Sequence, residues 1–120
     1  MPLAEVLRLL SAVSEPNRLR ILAALRARRM CVCELCAALA LKQSVMSQHL
    51  RVLRDCGLVA RRKDGLWVDY ELSGAAFKGP GGRVLRSLLR EAGKDESVLR
   101  DRRAAARADR QALCRRPGAS

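Results

Sequence analysis

Apolar residues recur every three or four positions through the first half of the chain, which is the spacing of one face of an α-helix. The pattern predicts four helices, over residues 3–13, 18–26, 32–40 and 44–56. Ser14 offers an N-cap for the second helix, and Pro16 is tolerated in its first turn. Gly57 follows the fourth helix, where a left-handed residue is common. We therefore expect a mainly α-helical domain.

The fourth predicted helix has one apolar and one polar face. Met46, Leu50 and Leu53 form the apolar stripe, which we expect to face the core. On the opposite side lie Ser44, Ser47, Gln48, Arg51 and Asp55. Only residues 41–43 separate this helix from the third one, so the two are expected to form a helix-turn-helix whose outer face is polar and partly cationic.

From residue 58 the apolar period changes to two, which is typical of β-strands. Asp64-Gly65 separates two such segments, 58–63 and 66–72, and predicts a hairpin with a type I′ turn. The tip of this hairpin carries Arg61, Arg62 and Lys63. Adjacent cations contribute little to packing but are suited to contact phosphate. A hairpin directly after a helix-turn-helix predicts a winged helix-turn-helix with a two-stranded wing.

The last part of the chain is expected to be only partly folded. Gly79-Pro80-Gly81-Gly82 is expected to break the chain before a final amphipathic helix over residues 83–92. Residues 94–120 hold eight basic and four acidic residues, a net charge of 8 − 4 = +4, with fading apolar periodicity. We expect residues 1–93 to form one folded domain and residues 94–120 a frayed or disordered basic tail.

Composition narrows the class of protein. The 120 residues include 24 Lys plus Arg and 12 Asp plus Glu, a formal net charge of +12. This length predicts one domain and excludes a large multidomain enzyme. The basic balance predicts an acidic partner, which is nucleic acid, an anionic membrane surface or an acidic protein. No apolar run approaches the roughly 18 residues of a membrane-spanning helix, so we expect a soluble, cytoplasmic protein that does not span a membrane.

The predicted fold and the charge together favour double-stranded DNA as the partner. In a winged helix-turn-helix, the second helix enters the major groove, where each base pair displays a distinct pattern of donors and acceptors. Ser47, Gln48 and Arg51 can hydrogen-bond base edges, and the wing cations would bind the phosphate backbone. The predicted DNA-binding residues are Gln43, Ser44, Ser47, Gln48, His49, Arg51, Arg61, Arg62 and Lys63.

The first and last predicted helices each carry an apolar stripe that needs a partner. These stripes are Leu3, Val6, Leu7 and Leu10 in the first helix, and Val84, Leu85, Leu88 and Leu89 in the last. They can pack within one subunit or pair two subunits. One recognition helix covers only a half-site, and twofold pairing doubles the contacts. We therefore expect a homodimer formed through these two helices.

Three of the five cysteines, Cys31, Cys33 and Cys36, fall within six residues. Such a cluster cannot staple distant segments, which favours a reducing compartment and thiolate chemistry. Local bending can bring the three sulfurs around one soft ion, and the helix N-terminus favours thiolate. Three alternatives stay open: a structural zinc site with further ligands from elsewhere, a redox pair of Cys33 and Cys36, or three buried structural cysteines.

Several motifs resemble those of a known family. The segment 14–22 has the sequence Ser-Glu-Pro-Asn-Arg-Leu-Arg-Ile-Leu, and later motifs are Ser47-Gln48-His49-Leu50, Gly57-Leu58-Val59 and Gly65-Leu66-Trp67-Val68. With these motifs, residues 3–92 resemble the ArsR/SmtB family of metal-sensing repressors. The similarity is greatest to the arsenic-responsive ArsR branch, whose sensor is a Cys-Val-Cys-x-x-Cys motif on the first helix of the helix-turn-helix. Cys31, Cys33 and Cys36 match that motif.

The resemblance implies a homodimeric repressor, not an enzyme, that binds an inverted-repeat operator and controls a resistance operon. It implies that As(III) or Sb(III) is the inducer, held by three thiolates, and that no organic cofactor takes part. Inducer binding would distort the start of the cysteine helix and release DNA. Zinc sensors of the family carry Asp and His ligands on the last helix, whereas residues 83–92 contain no His. Cadmium and lead sensors use cysteines near the N-terminus, and none precedes Cys31.

Two other functions would use the same cysteines. One is a thiol oxidoreductase or thiol carrier acting through Cys33 and Cys36, and the other is a repressor that senses thiol oxidation or persulfides. The chain also departs from the family pattern at two places. Gln48 stands where Arg is frequent, which leaves the operator sequence open, and Cys114 in the basic tail leaves the number of ligands open.

Overall fold

The computed structural model describes residues 1–113, and these form the predicted, mainly helical fold with a two-stranded hairpin. The first four helices are α1 (Leu3–Val13), α2 (Pro16–Ala27), α3 (Val32–Leu39) and α4 (Gln43–Asp55). The hairpin consists of β1 (Val59–Asp64) and β2 (Trp67–Leu72). After a 3₁₀ turn at Gly74–Phe77 come α5 (Gly79–Ala92), α6 (Glu96–Arg107) and α7 (Arg110–Leu113). Among these residues, no helix is both long and apolar enough to cross a lipid bilayer.

Aliphatic side chains from α2, α3, α4 and α5 form the core. The most deeply buried of them are Ile21, Leu22, Leu35, Leu39, Met46, Leu50, Leu53, Leu85 and Leu89. Each such side chain contributes roughly 1.5–3 kcal/mol by leaving water. Because Met46, Leu50 and Leu53 all belong to this set, the predicted inward face of α4 is confirmed, and its polar side faces solvent.

The junction between α1 and α2 differs from the prediction. Glu15, and not Ser14, is the N-cap of α2, and its carboxylate accepts a hydrogen bond from the Arg18 backbone N–H at 2.9 Å. Ser14 instead ends α1, where its hydroxyl donates to the Ser11 carbonyl oxygen at 3.1 Å. A carboxylate satisfies a free backbone N–H and also places negative charge at the positive end of the helix dipole. Pro16 occupies the first turn as predicted.

The wing is a single antiparallel pair in which Val59 lies opposite Leu72 and Asp64 opposite Trp67. The loop is therefore Gly65-Leu66, one residue later than predicted. Gly65 has a φ of +62°, whereas the φ of Leu66 is not positive. A type I′ turn needs positive φ at both loop residues, so that prediction is wrong. Positive φ at the first loop residue alone is the pattern of a type II′ turn.

The glycine-rich segment before α5 does not break the chain, because α5 begins at Gly79. Pro80 lies in the first turn, where its missing N–H costs no hydrogen bond. Gly82 is needed for a close approach, since a Cβ at this position would lie 2.2 Å from the carbonyl carbon of Phe77. The segment therefore serves as the first turn of a helix packed tightly on the preceding 3₁₀ turn.

The prediction of a frayed tail is wrong for residues 96–107, which form α6 and pack against α2 and α3. Val98 and Ala105 are buried in the core, and Asp101 is only 3% exposed. The Arg20 guanidinium donates to both carboxylate oxygens of Asp101 at 2.8 Å. The buried residues of α6 are Val98, Asp101 and Ala105. Because one of these three is charged, the apolar periodicity of this segment is weak. Residues 110–113 of the predicted tail are also helical and form α7. Only residues 114–120, which include Cys114, lie outside the described residues.

Candidate nucleic-acid interface and cysteine cluster

The polar face of α4 is available to a partner. Its exposed residues include Gln43, Ser44, Ser47, Gln48 and Arg51. Within residues 1–113, none of these side chains forms a hydrogen bond or an ion pair. The structure therefore brings five of the predicted DNA-binding residues onto one open surface, with their donors and acceptors unused.

His49 is placed differently from the other predicted DNA-binding residues of α4. Its side chain is 16% exposed, and Nε2 lies 3.6 Å from Oε2 of Glu15 at the start of α2. His49 thus joins the recognition helix to α2 and does not belong to the open face.

The wing cations occupy both faces of the hairpin. Arg61, Arg62 and Lys63 are all exposed on β1. Because side chains alternate along a strand, Arg62 lies on the face opposite to Arg61 and Lys63. Arg62 Nη1 lies 3.8 Å from Oε2 of Glu71, an exposed pair that contributes little to stability. All three cations therefore remain accessible to a polyanion.

The cysteine cluster begins α3, the first helix of the helix-turn-helix. Cys31 is the N-cap, in an extended conformation and with no exposed surface. Its backbone N–H donates to Oε1 of Glu34 at 3.0 Å, as part of a capping box. Glu34 is itself only 5% exposed, so the first turn of α3 is fixed by a buried carboxylate.

The three sulfurs do not form a ready-made ion site. Cys33 and Cys36 are half-buried and share one face of α3, whereas Cys31 precedes the helix. Cys33 is also disulfide-bonded, so three thiols require the reduced protein. In the part of the chain that the structure describes, no three His, Cys, Asp or Glu side chains are gathered closely enough to hold a metal ion. A three-sulfur site would therefore require the first turn of α3 to change shape.

The protonation of Cys36 differs from the expectation that the helix N-terminus favours thiolate. Burial raises the pKa of the Cys36 thiol, and the nearby Cys31 raises it further. Cys36 is the fifth residue of α3, beyond the first turn, where the helix dipole is weak. Cys56, at the C-cap of α4, is half-buried and lies outside this cluster.

A cluster of charged residues at the wing was not predicted from the sequence. Arg110 Nη1 donates to Asp69 Oδ1 at 2.7 Å, and its Nη2 donates to Asp64 Oδ2 at 3.0 Å. Asp69 is 2% exposed. Burial raises the pKa of its carboxyl, and the opposing charge of Arg110 only reduces this shift. These partners are more than 40 residues apart in sequence, so no local pattern could have identified them.

Residues 15–61 match a family model described as bacterial regulatory protein, arsR family. The chain is 52% identical over 44 residues to the arsenical resistance operon repressor of Escherichia coli K12. This match covers 37% of this chain and 38% of that protein. It is 43% identical over 63 residues to the transcriptional repressor SmtB homolog of Synechocystis. This match covers 52% of this chain and 48% of that protein. The chain thus spans half or less of these two relatives.

The solved structure of HlyU from Vibrio cholerae, which is named a transcriptional activator, matches over a longer stretch. The TM-score is 0.64 at 36% sequence identity, and the match covers 76% of this chain and 97% of that chain. The fold is that of winged helix-turn-helix regulators. Together with the family model, this similarity shows that the chain belongs to the arsR family of bacterial regulatory proteins.

Proposed function

We propose that this chain is a homodimeric transcriptional repressor that is released from its operator when As(III) or Sb(III) binds Cys31, Cys33 and Cys36. One observation carries the proposal: the cluster begins the first helix of the helix-turn-helix, directly before the recognition helix. A ligand that reshapes the start of α3 therefore acts within the DNA-binding unit itself. The name of the E. coli relative, an arsenical resistance operon repressor, supports this inducer class.

The DNA contact divides into two parts. The open face of α4 would enter the major groove, where Ser47, Gln48 and Arg51 hydrogen-bond base edges. The wing cations Arg61 and Lys63 would bind phosphates and add affinity without sequence information. His49 supports the recognition helix through Glu15, so its contribution to DNA binding is indirect.

Exposed aliphatic side chains on α1 and α5 support the homodimer. Leu3, Leu7 and Leu10 on α1 are 72%, 55% and 47% exposed, and Val84 on α5 is 44% exposed. Leu85 and Leu89 of the predicted α5 stripe are instead buried in the core of one subunit. The stripe of α1, with Val84 beside it in the proposal, is therefore the main candidate interaction surface. A second copy of the chain is the partner that also gives the two recognition helices that an inverted repeat requires.

The inducer chemistry follows from three thiols. Arsenous acid exchanges its three hydroxyl groups for three sulfurs, and each departing hydroxide carries away one thiol proton as water, so no net proton is released. Because Cys31 has no exposed surface, we expect the start of α3 to rearrange when all three As–S bonds form. Release then requires that the ion bind the DNA-incompetent shape of α3 more tightly than the competent one.

Fluorescence anisotropy of a labelled duplex tests the proposal. The duplex is first selected by the reduced protein from a random-sequence pool. We expect arsenite to dissociate this complex, whereas zinc and cadmium at the same concentration do not. Cys33→Ser should keep DNA binding and lose the arsenite response, and Cys56→Ser, a cysteine outside the cluster, should respond normally.

Each other result points to a different function. Dissociation by zinc or cadmium alone would make the inducer assignment wrong. Loss of DNA binding in Cys33→Ser would identify structural cysteines. Dissociation by an oxidant, reversed by reductant alone, would support a sensor of thiol oxidation.

A further inference from the structure

The C-terminal helices α6 and α7 contact both the cysteine helix α3 and the wing. At one end, Arg110 of α7 holds the wing through ion pairs to Asp69 and Asp64. Its guanidinium carbon also lies 4.8 Å from the ring centroid of Trp67, a cation–π contact. One side chain of the last described helix thus contacts three residues of the wing.

At the other end, Arg28 joins the cysteine helix to α6. Its Nη1 donates to Oε2 of Glu34 at 3.0 Å, and its Nη2 donates to the carbonyl oxygen of Ala105 at 2.9 Å. Glu34 is the carboxylate that accepts the Cys31 N–H. One guanidinium therefore binds both the cap of the cysteine helix and the end of α6.

The two ends meet in a single cleft. It is lined by Arg28, Arg29, Glu34, Asp64, Asp69 and Arg110. Arg29 Nε lies 3.6 Å from Oδ2 of Asp69, so the loop before α3 also reaches the wing. The backbone adds a direct link, because Met30 and Tyr70 exchange two hydrogen bonds of 3.0 and 2.8 Å.

We propose that this cleft couples the cysteine helix to the wing, with Arg28 and Arg110 as positioning residues. When the first turn of α3 changes shape, Glu34 loses its bond to the Cys31 N–H and no longer holds Arg28. The end of α6 is then released, and Arg110 moves away from Trp67, Asp64 and Asp69. The wing loses its fixed orientation, and its phosphate contacts weaken together with those of α4. The role in induction rests on the proposed function, but the mechanical coupling does not.

Trp67 is the only tryptophan in the chain, so its fluorescence reports on the wing. The first arm needs no inducer. We expect Glu34→Gln and Arg110→Ala each to shift the Trp67 emission to longer wavelength, because both loosen the cover over the indole ring. The matched controls are Glu96→Gln and Arg107→Ala, which remove the same charges from exposed positions on α6 and should leave the spectrum unchanged. An unchanged spectrum in Glu34→Gln would overturn the coupling.

The second arm adds arsenite to the reduced protein and counts the remaining thiols with a chromogenic disulfide reagent. We expect thiol capture and a red shift in the wild type and in Arg107→Ala. In Arg110→Ala we expect thiol capture without any further shift. Capture with a silent Trp67 in the wild type would overturn the coupling. If Glu34→Gln shifts the Trp67 emission but arsenite captures no thiols in the wild type, the coupling is upheld and arsenite is not the inducer.

Discussion

Ser47, Gln48 and Arg51 lie on the open side of α4, and none is committed to a partner within residues 1–113. Replacing any one of them by Ala should cost about 1–3 kcal/mol of binding free energy on the selected duplex, since a base contact discriminates by that amount. Anisotropy titrations on the selected duplex and on a random duplex give both affinities.

Arg54, exposed in the last turn of α4, provides the matched control for Arg51. Arg54→Ala should weaken both duplexes to a similar, smaller extent. If Arg51→Ala also weakened the two duplexes equally, Arg51 would be a phosphate contact and would contribute nothing to sequence recognition.

The Cys36 thiol gives a prediction about pH. Burial raises its pKa, and the thiolate is the nucleophile, so at a given pH the folded protein holds less thiolate than the unfolded chain. In the reduced protein, the alkylation rate of Cys36 should reach half of its maximum at a higher pH than in the same protein unfolded in urea. Site-resolved mass spectrometry after iodoacetamide treatment measures both profiles. Coinciding midpoints would contradict the raised pKa.

At the scale of the elements, docking of α6 depends on the pair between Arg20 and Asp101, whose side chains are 18% and 4% exposed. Asp101→Asn should destabilise the protein by about 3–5 kcal/mol, because it leaves a largely buried guanidinium without its counter-charge. Urea unfolding measures the loss. Glu96→Gln, an exposed carboxylate on the same helix, should change stability by no more than about 0.5 kcal/mol. Equal effects of the two substitutions would show that α6 does not need this pair.

Local patterns predicted most of the fold correctly. The period of the apolar residues gave α1 with its observed ends, and α3 and α4 within one residue. The inward stripe of α4 follows directly from that period. The hairpin was also predicted, but its turn type was wrong because the loop begins at Gly65.

Features that depend on distant partners could not be predicted. The helix α6 is held by Arg20, 81 residues away from Asp101 in sequence. The position of His49 against Glu15 depends on how α4 packs on α2. For the cysteines, spacing identified the cluster, but the burial of Cys31 and the raised pKa of Cys36 follow from the folded core.

At the scale of the whole molecule, the proposed homodimer would present two recognition helices to one duplex. Leu7→Glu places a charge at the centre of the exposed stripe of α1 and should yield a monomer with much weaker affinity for the selected duplex. Sedimentation velocity measures the oligomeric state. Leu66→Glu, at an exposed leucine in the wing loop, should leave that state unchanged. A dimer that persists in Leu7→Glu would place the interface elsewhere.

In the proposed mechanism, arsenite and DNA bind to different shapes of one protein, so each must weaken the binding of the other. The direct measurement is the affinity of the reduced protein for arsenite, determined once free and once saturated with the selected duplex. We expect bound DNA to weaken arsenite binding by the same factor by which arsenite weakens DNA binding. Equal arsenite affinities in the two states would contradict it, because an ion that binds both shapes equally cannot release DNA.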